Sequence, residues 1–296
     1  MSSTSSPTPV SEESNTGIKL PNVNPLKLGG ELKIGGSTIM YFVSQAIAER
    51  FIEEGYPGKI EVTSAGTGKG FQLFCSEGKL DILNAYRSIN AQEVQACNQA
   101  GKEPISFQIA TDALAIVVSR QNDFLPNNLS REDIRKIFTA EKWSDVNKDW
   151  PDRAIRRNVA NLFVKTIFGG NAQSVLRAPN TKIYNFEEEL VQDALINQDV
   201  IGLIGYTYYM RNKNAFSVIS IDGISPSSVQ NYPFTSPMFI YADAEQIRKQ
   251  PEIKGFINFY LQNIDEEIEN TGSLPPEETA LNTSKLKLLN VLGRAN

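Results

Sequence analysis

A glycine-rich turn between a strand and a helix is the first stretch that could do chemistry. Residues 60–63 have the β-branched pattern of a strand, and 64–70 read SAGTGKG at the start of a helical run. The first N–H groups of a helix have no partner within the helix, and the helix dipole is positive there, so such a turn can bind an anion through backbone alone. Thr67 adds a hydroxyl, Gly68 allows close approach, and Arg87 follows the next strand.

This turn has no strong motif. Residues 66–70 read GTGKG and lack the Gly-Lys-Ser/Thr ending of a P-loop. The dinucleotide fingerprint would need its third glycine one position later. On pattern alone, the alternative is a tight strand-to-helix turn that binds nothing.

A similar unit comes earlier in the chain. Residues 31–34 predict a strand, 35–39 read GGSTI, and an amphipathic helix starts near Phe42. Two successive βα units place both turns at the carboxyl-terminal edge of one parallel sheet, where open α/β folds bind ligands. We therefore expect Ser37 and Thr38 to lie beside the glycine-rich turn.

The composition excludes several classes of function. The 296 residues include no histidine and only two cysteines, which excludes Ser-His-Asp and Cys-His nucleophiles and all histidine metal sites. A net charge of −5 argues against nucleic acid or an anionic membrane as the main partner. A small anion can still bind, because local N–H groups and one arginine decide its affinity. We expect neither an enzyme nor a cofactor.

The two cysteines, Cys75 and Cys97, are 22 residues apart, each on a predicted helix. In an exported protein they would form a disulfide, worth about 3 kcal/mol in the loop-entropy model. In a cytosolic protein they would be two buried thiols.

Residues 1–24 are rich in Ser, Thr, Pro and Glu and lack apolar periodicity, which predicts a flexible tether. The sequence has no signal-peptide pattern and no run of 18 apolar residues. Two alternatives follow: a cytosolic protein, or a mature exported form whose signal was replaced by Met1. The tether favours the second.

Helices and strands alternate through the rest of the chain. The patterns predict helices at 91–100, 130–139, 162–168, 187–197 and most of the last 50 residues, strands at 105–119, 200–206 and 217–221, and an extended crossing segment at 234–241.

Seven ordered motifs indicate a family. They are GST at 36–38, AGTGKGF at 65–71, DILNAYRSI at 81–89, TDALA at 111–115, EKWSDV at 141–146, GLIGY at 202–206 and INFYL at 257–261. With them the chain resembles, over residues 25–290, the periplasmic phosphate-binding proteins of the PstS family, most closely the cyanobacterial SphX-like members. Cys75 and Cys97 match a cysteine pair of these relatives, which favours the exported, disulfide-bonded form.

The resemblance implies an α/β, two-lobed periplasmic-binding-protein-like (class II) fold with two crossing segments. Lobe 1 would comprise 25–112 and 234–296, and lobe 2 would comprise 113–233. Such a protein captures phosphate, or a related oxyanion, between lobes that close by hinge motion, and delivers it to an ABC transporter permease. We expect a periplasmic monomer. Its removed N-terminus could carry a lipid anchor or none, and the sequence does not decide between the two.

The resemblance also implies a set of ligand-binding residues. The first turn would contribute the side chains of Ser37 and Thr38 and the backbone of Ile39, the second Thr67 and Gly68, the third Arg87, and lobe 2 Arg157 and Asn161.

The sequence departs from the family pattern at three places. An arginine followed four positions later by Ser-Gly-Thr is expected in lobe 2, but Arg157 is followed by Asn-Leu-Phe at 161–163. Tyr86 stands where a small serine is expected, and Tyr41 where a proline is expected. Losing two hydroxyl donors to a charged ligand would cost about 3–6 kcal/mol. The alternative function is therefore a non-transporting homologue that has lost phosphate binding and acts as a scaffold or sensor.

Overall fold

The chain alternates strands and helices along its length. The computed structural model describes residues 17–184, 187–228, 231–268, 271 and 273–293, apart from the side chains of 161–163. The strands are β1 (Glu31–Gly36), β2 (Lys59–Val62), β3 (Ile82–Ala85), β4 (Pro104–Ser119), β5 (Asn128–Leu129), β6 (Arg156–Val159), β7 (Thr181–Ile183), β8 (Val200–Gly205), β9 (Phe216–Ile221) and β10 (Thr235–Asp243). The α-helices are α1 (Tyr41–Glu53), α2 (Thr67–Phe71), α3 (Ala91–Gln99), α4 (Arg131–Ile137), α5 (Asn161–Phe168), α6 (Ala172–Leu176), α7 (Glu187–Ile196), α8 (Tyr206–Arg211), α9 (Ala244–Lys249), α10 (Pro251–Ile268) and α11 (Glu278–Gly293).

The strands form a mixed sheet in the order β2-β1-β3-β10-β4-β8-β6-β7. At one end, β1 pairs in parallel with both β2 and β3. At the other end, β6 pairs in parallel with both β7 and β8. The two parallel groups are joined by antiparallel pairs, because β10 pairs with β3 and β4, and β4 pairs with β8 and β9. The predicted α/β class is confirmed, and both predicted turns follow strands of one parallel group, β1 and β2.

The long strand β4 is common to both groups. Residues 104–113 pair with β10, whereas residues 114–119 pair with β8 and β9. The long strand predicted at 105–119 is β4, and the crossing segment predicted at 234–241 is β10.

The buried apolar side chains separate at the middle of β4. One cluster takes its buried members from 113–232, and we call this part lobe 2. Two further clusters take theirs from 20–110 and 238–291, and we call this part lobe 1. Each lobe thus has a hydrophobic core of its own, which allows one lobe to move relative to the other.

The glycine-rich turn packs directly on the first strand. Gly66 precedes α2 with φ +80°, and α2 continues into a π-helical turn, Gln72–Ser76. A Cβ on Gly70 would meet the Cα of Gly36 at 2.7 Å and the Cδ1 of Leu83 at 2.6 Å. Helix and sheet can approach this closely only because Gly70 has no side chain.

The predicted disulfide is present. Cys75 in the π-helical turn is bonded to Cys97 in α3, and both are buried. The bond therefore joins the helix that begins at the glycine-rich turn to the helix that follows Arg87.

Residues 17–24 of the predicted tether contact lobe 1, while residues 1–16 lie outside the described part. Leu20 is buried, the main-chain oxygen of Pro21 accepts a hydrogen bond from Asn258 at 3.0 Å, and the N–H of Ile18 donates to Asn282 at 2.9 Å. These contacts hold this stretch against α10 and α11. Among the described residues, no helix is both long enough and apolar enough to cross a membrane.

We expect Gly70→Ala to lower the free energy of unfolding by about 1–3 kcal/mol, because the added methyl group overpacks the contact with β1. Urea unfolding measures this loss. Gly29→Ala is the matched control, since a Cβ there meets nothing within 4 Å, and its change should stay within about 0.5 kcal/mol. Equal stability of the two variants would contradict the close approach.

Candidate functional site

The strand pairing brings the carboxyl-terminal ends of both parallel groups to one place. At the end of β3, Ala85 is opposite Phe239 of β10. At the start of β10, Thr235 is opposite Ala113 of β4. From the other side, Gly205 at the end of β8 is opposite Leu114. The turns that follow β3 and β8 therefore converge near the middle of β4.

A cavity of about 110 Å³ lies at this meeting point. Lobe 1 lines it with Ile39, Tyr86 and Arg87, the crossing strands with Asp112, Leu114 and Ser236, and lobe 2 with Thr166. Two of the predicted ligand residues, Ile39 and Arg87, thus border a space between the lobes.

The first turn places Ser37 beneath the start of α1. Its N–H donates to the main-chain oxygen of Asn84 at 2.8 Å, and the residue is 1% exposed. Its hydroxyl has no hydrogen-bond partner, which is unusual for a buried polar group. Thr38 is exposed and Ile39 is half-buried. The first turn therefore holds one buried hydroxyl without a partner, although neither Ser37 nor Thr38 lines the cavity itself.

The second turn contributes Thr67 and Gly68. The Thr67 hydroxyl is buried and accepts a hydrogen bond from the N–H of Tyr86 at 3.2 Å. Gly68 is exposed, and a Cβ there would meet nothing within 4 Å. Open space therefore borders the first turn of α2, although neither residue lines the cavity itself.

Arg87 is held in place by a carboxylate. Its two terminal nitrogens donate to the two oxygens of Glu93 at 2.8 and 2.7 Å, and its guanidinium lies 5.5 Å from the ring centre of Phe71. The hydrogen-bonded Glu93 carboxylate raises the pKa of Arg87 above its ordinary value. Arg87 is thus a permanent, oriented cation at the cavity wall, and Glu93 offsets part of its charge.

Arg157 differs from its predicted role as a ligand contact. It is completely buried in lobe 2, and it donates to the main-chain oxygens of Ile137, Pro179 and Ala140. Burial lowers its pKa to about 10. The guanidinium satisfies carbonyls near the end of α4, and Arg157 does not line the cavity.

The start of α5 is described only by its backbone. Asn161 begins the helix, but its side chain, and those of Leu162 and Phe163, lie outside the described part. The predicted Asn161 contact and the effect of the departure at 161–163 therefore stay predictions. Thr166, one turn further, lines the cavity from lobe 2.

The two tyrosines that depart from the family pattern lie on lobe 1. Tyr86 packs against the lobe 1 core and lines the cavity, and its main-chain oxygen accepts a hydrogen bond from Ser236 at 3.1 Å. The ring of Tyr41 is edge-on to that of Phe42, 5.3 Å between centres. Tyr86 narrows the space between the lobes without filling it.

Sequence reasoning did not assign a role to Asp112. This buried carboxylate on β4 lines the cavity, and its Oδ1 accepts hydrogen bonds from the N–H of Ala113 and from both the N–H and the hydroxyl of Thr207, each at 3.0 Å. It thereby caps the start of α8. Burial raises its pKa to about 6. The signal was present, since Asp112 interrupts a long apolar strand.

Asn84 was also missed as a support of the site. It is completely buried, its Oδ1 accepts a hydrogen bond from the Ser44 hydroxyl at 2.8 Å, and Ser44 lies 3.2 Å from the hydroxyl of Tyr260. Since the main-chain oxygen of Asn84 also holds Ser37, this residue fixes the start of α1 to the end of β3. A polar residue in the centre of an apolar strand was the available signal.

Comparisons with known proteins agree on the family. A model of the PBP superfamily domain matches residues 5–263. Protein SphX of Synechococcus elongatus is 33% identical over 261 residues, 81% of this chain and 76% of that protein. The phosphate-binding protein PstS of Staphylococcus aureus is 27% identical over 266 residues, 85% of this chain and 80% of that protein. The crystal structure of a possible phosphate-binding protein from Planctomyces limnophilus superposes with a TM-score of 0.62 at 26% identity, covering 90% of this chain and all of that chain.

We expect Arg157→Met to lower the free energy of unfolding by about 3 kcal/mol, because it leaves buried carbonyl oxygens without a donor. Arg131→Met is the control: its ion pair with Asp222 is solvent-exposed, so its loss should be below about 1 kcal/mol. Urea unfolding compares the two. A loss below 1 kcal/mol for Arg157→Met would contradict its structural role.

Asp112 should make stability depend on pH. Its pKa rises from an ordinary 3.8 to about 6 on folding, so the folded state binds the proton more tightly. The stabilisation is fully present below about pH 4 and is lost as the pH rises through about 6, a change of about 3 kcal/mol. The wild type should therefore lose this amount relative to Asp112→Asn between about pH 4 and 7 in urea unfolding. A constant difference between the two proteins across this range would refute the assignment.

Proposed function

Because the chain belongs to the PBP superfamily, we propose that it is an extracytoplasmic solute-binding protein that captures phosphate, or a related oxyanion, between its two lobes for an ABC transporter. The relatives support this function, since PstS of Staphylococcus aureus is named a phosphate-binding protein. The structure from Planctomyces limnophilus is described as a possible phosphate-binding protein.

The cavity between the lobes is the observation that carries the proposal. It lies where the ends of both parallel groups converge on β4, and Arg87 provides a fixed cation at its wall. A tetrahedral anion needs donors from several directions, and a cleft between two lobes can supply them when it closes.

On lobe 1, we propose that the anion is held by hydroxyls, main-chain amides and the guanidinium of Arg87. The buried Ser37 hydroxyl supports this arrangement because a ligand oxygen would provide the partner that it lacks. Thr38 and the amide of Ile39 would act at the start of α1, and Thr67 with the amide of Gly68 at the start of α2. Amides at helix N-termini are natural donors to anions.

On lobe 2, we propose that the start of α5 at Asn161 faces the anion, with Thr166 beside it. Arg157 would act indirectly, by holding the elements around α4 in place. This lobe therefore offers fewer side-chain donors than the family pattern implies, and backbone amides carry more of the binding.

The alternative of a homologue that has lost its ligand is not favoured. Tyr86, the residue expected to fill the cleft, leaves a cavity of about 110 Å³ beside Arg87. The relatives named for phosphate binding extend over most of the chain. The same family membership supports a role in binding rather than catalysis.

We also propose a location outside the cytoplasm and a permease as the partner. The Cys75–Cys97 bond supports the location, because disulfides persist in oxidising compartments. The permease follows from the transporter function proposed above.

Isothermal titration calorimetry with inorganic phosphate, arsenate and sulfate tests the function. We expect phosphate to bind, and Ser37→Ala to weaken its binding about 10- to 100-fold, the value of one hydrogen bond to a charged ligand. The stability of the unliganded protein should not fall, because the hydroxyl has no partner to lose.

Ser217→Ala is the matched control, since Ser217 lies on β9 of lobe 2, opposite Val118 and outside the turns that begin α1 and α2. It should leave phosphate binding unchanged. Absence of binding heat for all three anions would remove the proposed function. Equal affinity of wild type and Ser37→Ala would remove only the role of this hydroxyl.

A further inference from the structure

A third stretch of chain lies along the boundary between the lobes, besides β4 and β10. Leu274 forms an antiparallel bridge with Thr111 of β4, through N–H···O bonds of 2.9 and 3.2 Å in the two directions. The side chain of Leu274 packs against the lobe 2 core, although the preceding helix α10 belongs to lobe 1. Lobe 1 thus sends a segment to the hinge that contacts lobe 2.

Helix α8 of lobe 2 lies against this segment. The hydroxyl oxygens of Thr207 and Ser273 lie 3.4 Å apart, and the guanidinium of Arg211 donates to the main-chain oxygen of Thr271 at 2.7 Å. Thr271 is itself anchored to lobe 1, because its hydroxyl donates to the main-chain oxygen of Ile268 at the end of α10. The hydrogen bond from Arg211 to Thr271 therefore joins a cation of lobe 2 to a main-chain oxygen of lobe 1.

Arg211 also stacks on an aromatic ring of lobe 1. Its guanidinium carbon lies 3.8 Å from the ring centre of Phe42. Phe42 is the second residue of α1, next to the first turn of the proposed site, and its side chain is half-exposed. No carboxylate of the described residues pairs with Arg211. The two groups that its guanidinium contacts, the main-chain oxygen of Thr271 and the ring of Phe42, both belong to lobe 1.

We propose that Arg211, Phe42 and Thr271 form an interlobe clasp that determines how tightly the closed cleft retains its anion. The proposal rests on the function proposed above. In this proposal both contacts of Arg211 form only while the lobes are together, so they would stabilise the closed state and not the open one. The apparent affinity of a ligand scales with the fraction of protein in the competent closed state, and the clasp raises that fraction.

The distance between the lobes tests the clasp without any ligand. Spin labels on cysteines introduced at Glu53 in lobe 1 and Lys148 in lobe 2, both exposed, report that distance by pulsed electron resonance. The native cysteines do not react, because they form the disulfide. We expect Arg211→Met to shift unliganded protein towards longer distances, with the closed-to-open ratio falling about tenfold. An unchanged distance distribution would overturn the proposal.

Phosphate binding provides the second measurement. Arg211→Met should raise the dissociation constant about tenfold, mainly through faster dissociation. Phe42→Leu should have a smaller effect, and adding it to Arg211→Met should change little further, because the ring then has no cation to bind. Fully additive effects of the two substitutions would overturn the clasp.

Lys213→Met is the matched control, since it removes an exposed cation two residues from Arg211. It should leave both the interlobe distance and the phosphate affinity unchanged. An effect equal to that of Arg211→Met would overturn the clasp, because it would show that only the net charge of this region matters.

If the wild type binds no phosphate but Arg211→Met still lengthens the interlobe distance, the proposed function fails while the clasp stands. If phosphate binds and neither readout responds to Arg211→Met, the clasp fails alone.

Discussion

The antiparallel hydrogen bonding of β4 is the constraint on which the rest of the molecule depends. One half of this strand is paired with β10 and the other half with β8 and β9. Because β10 in turn pairs with β3, the parallel strands of the two lobes run in opposite directions and end near the same residues of β4. A site made from strand ends therefore forms at this point, and its two walls belong to bodies with separate cores. The same strand also connects the two walls, because its two halves pair with strands of different lobes.

Much of this arrangement could be predicted from local sequence patterns. Alternating β-branched residues indicated the strands, and the glycine-rich turn at 64–70 indicated a helix start that backbone could use for an anion. The predicted capped helix after Ser130 is present, with the serine hydroxyl bonded to the N–H of Asp133. These features depend on neighbours within a few residues. The disulfide was predicted from the cysteine count and the family resemblance together.

The parts that could not be predicted depend on groups that only the folded chain brings together. Arg157 occupies the position of a ligand arginine, but its partners are carbonyls 17 to 22 residues away, which no spacing rule identifies. Asp112 caps a helix that begins 94 residues later, and its N–H donors come mostly from that helix. Asn84 supports the first turn through Ser44 and Tyr260 on two different helices. A polar residue inside an apolar strand signals that partners exist, and the tertiary structure decides which they are.

The contacts of residues 17–24 with α10 and α11 have a mechanical consequence. Because Ile18 and Pro21 are hydrogen-bonded to lobe 1, residues 17–24 belong mechanically to that lobe. A force applied at Gly17 is therefore transmitted to lobe 1 first. If that lobe is held, the amides at the starts of α1 and α2 keep their positions whenever lobe 2 moves relative to them.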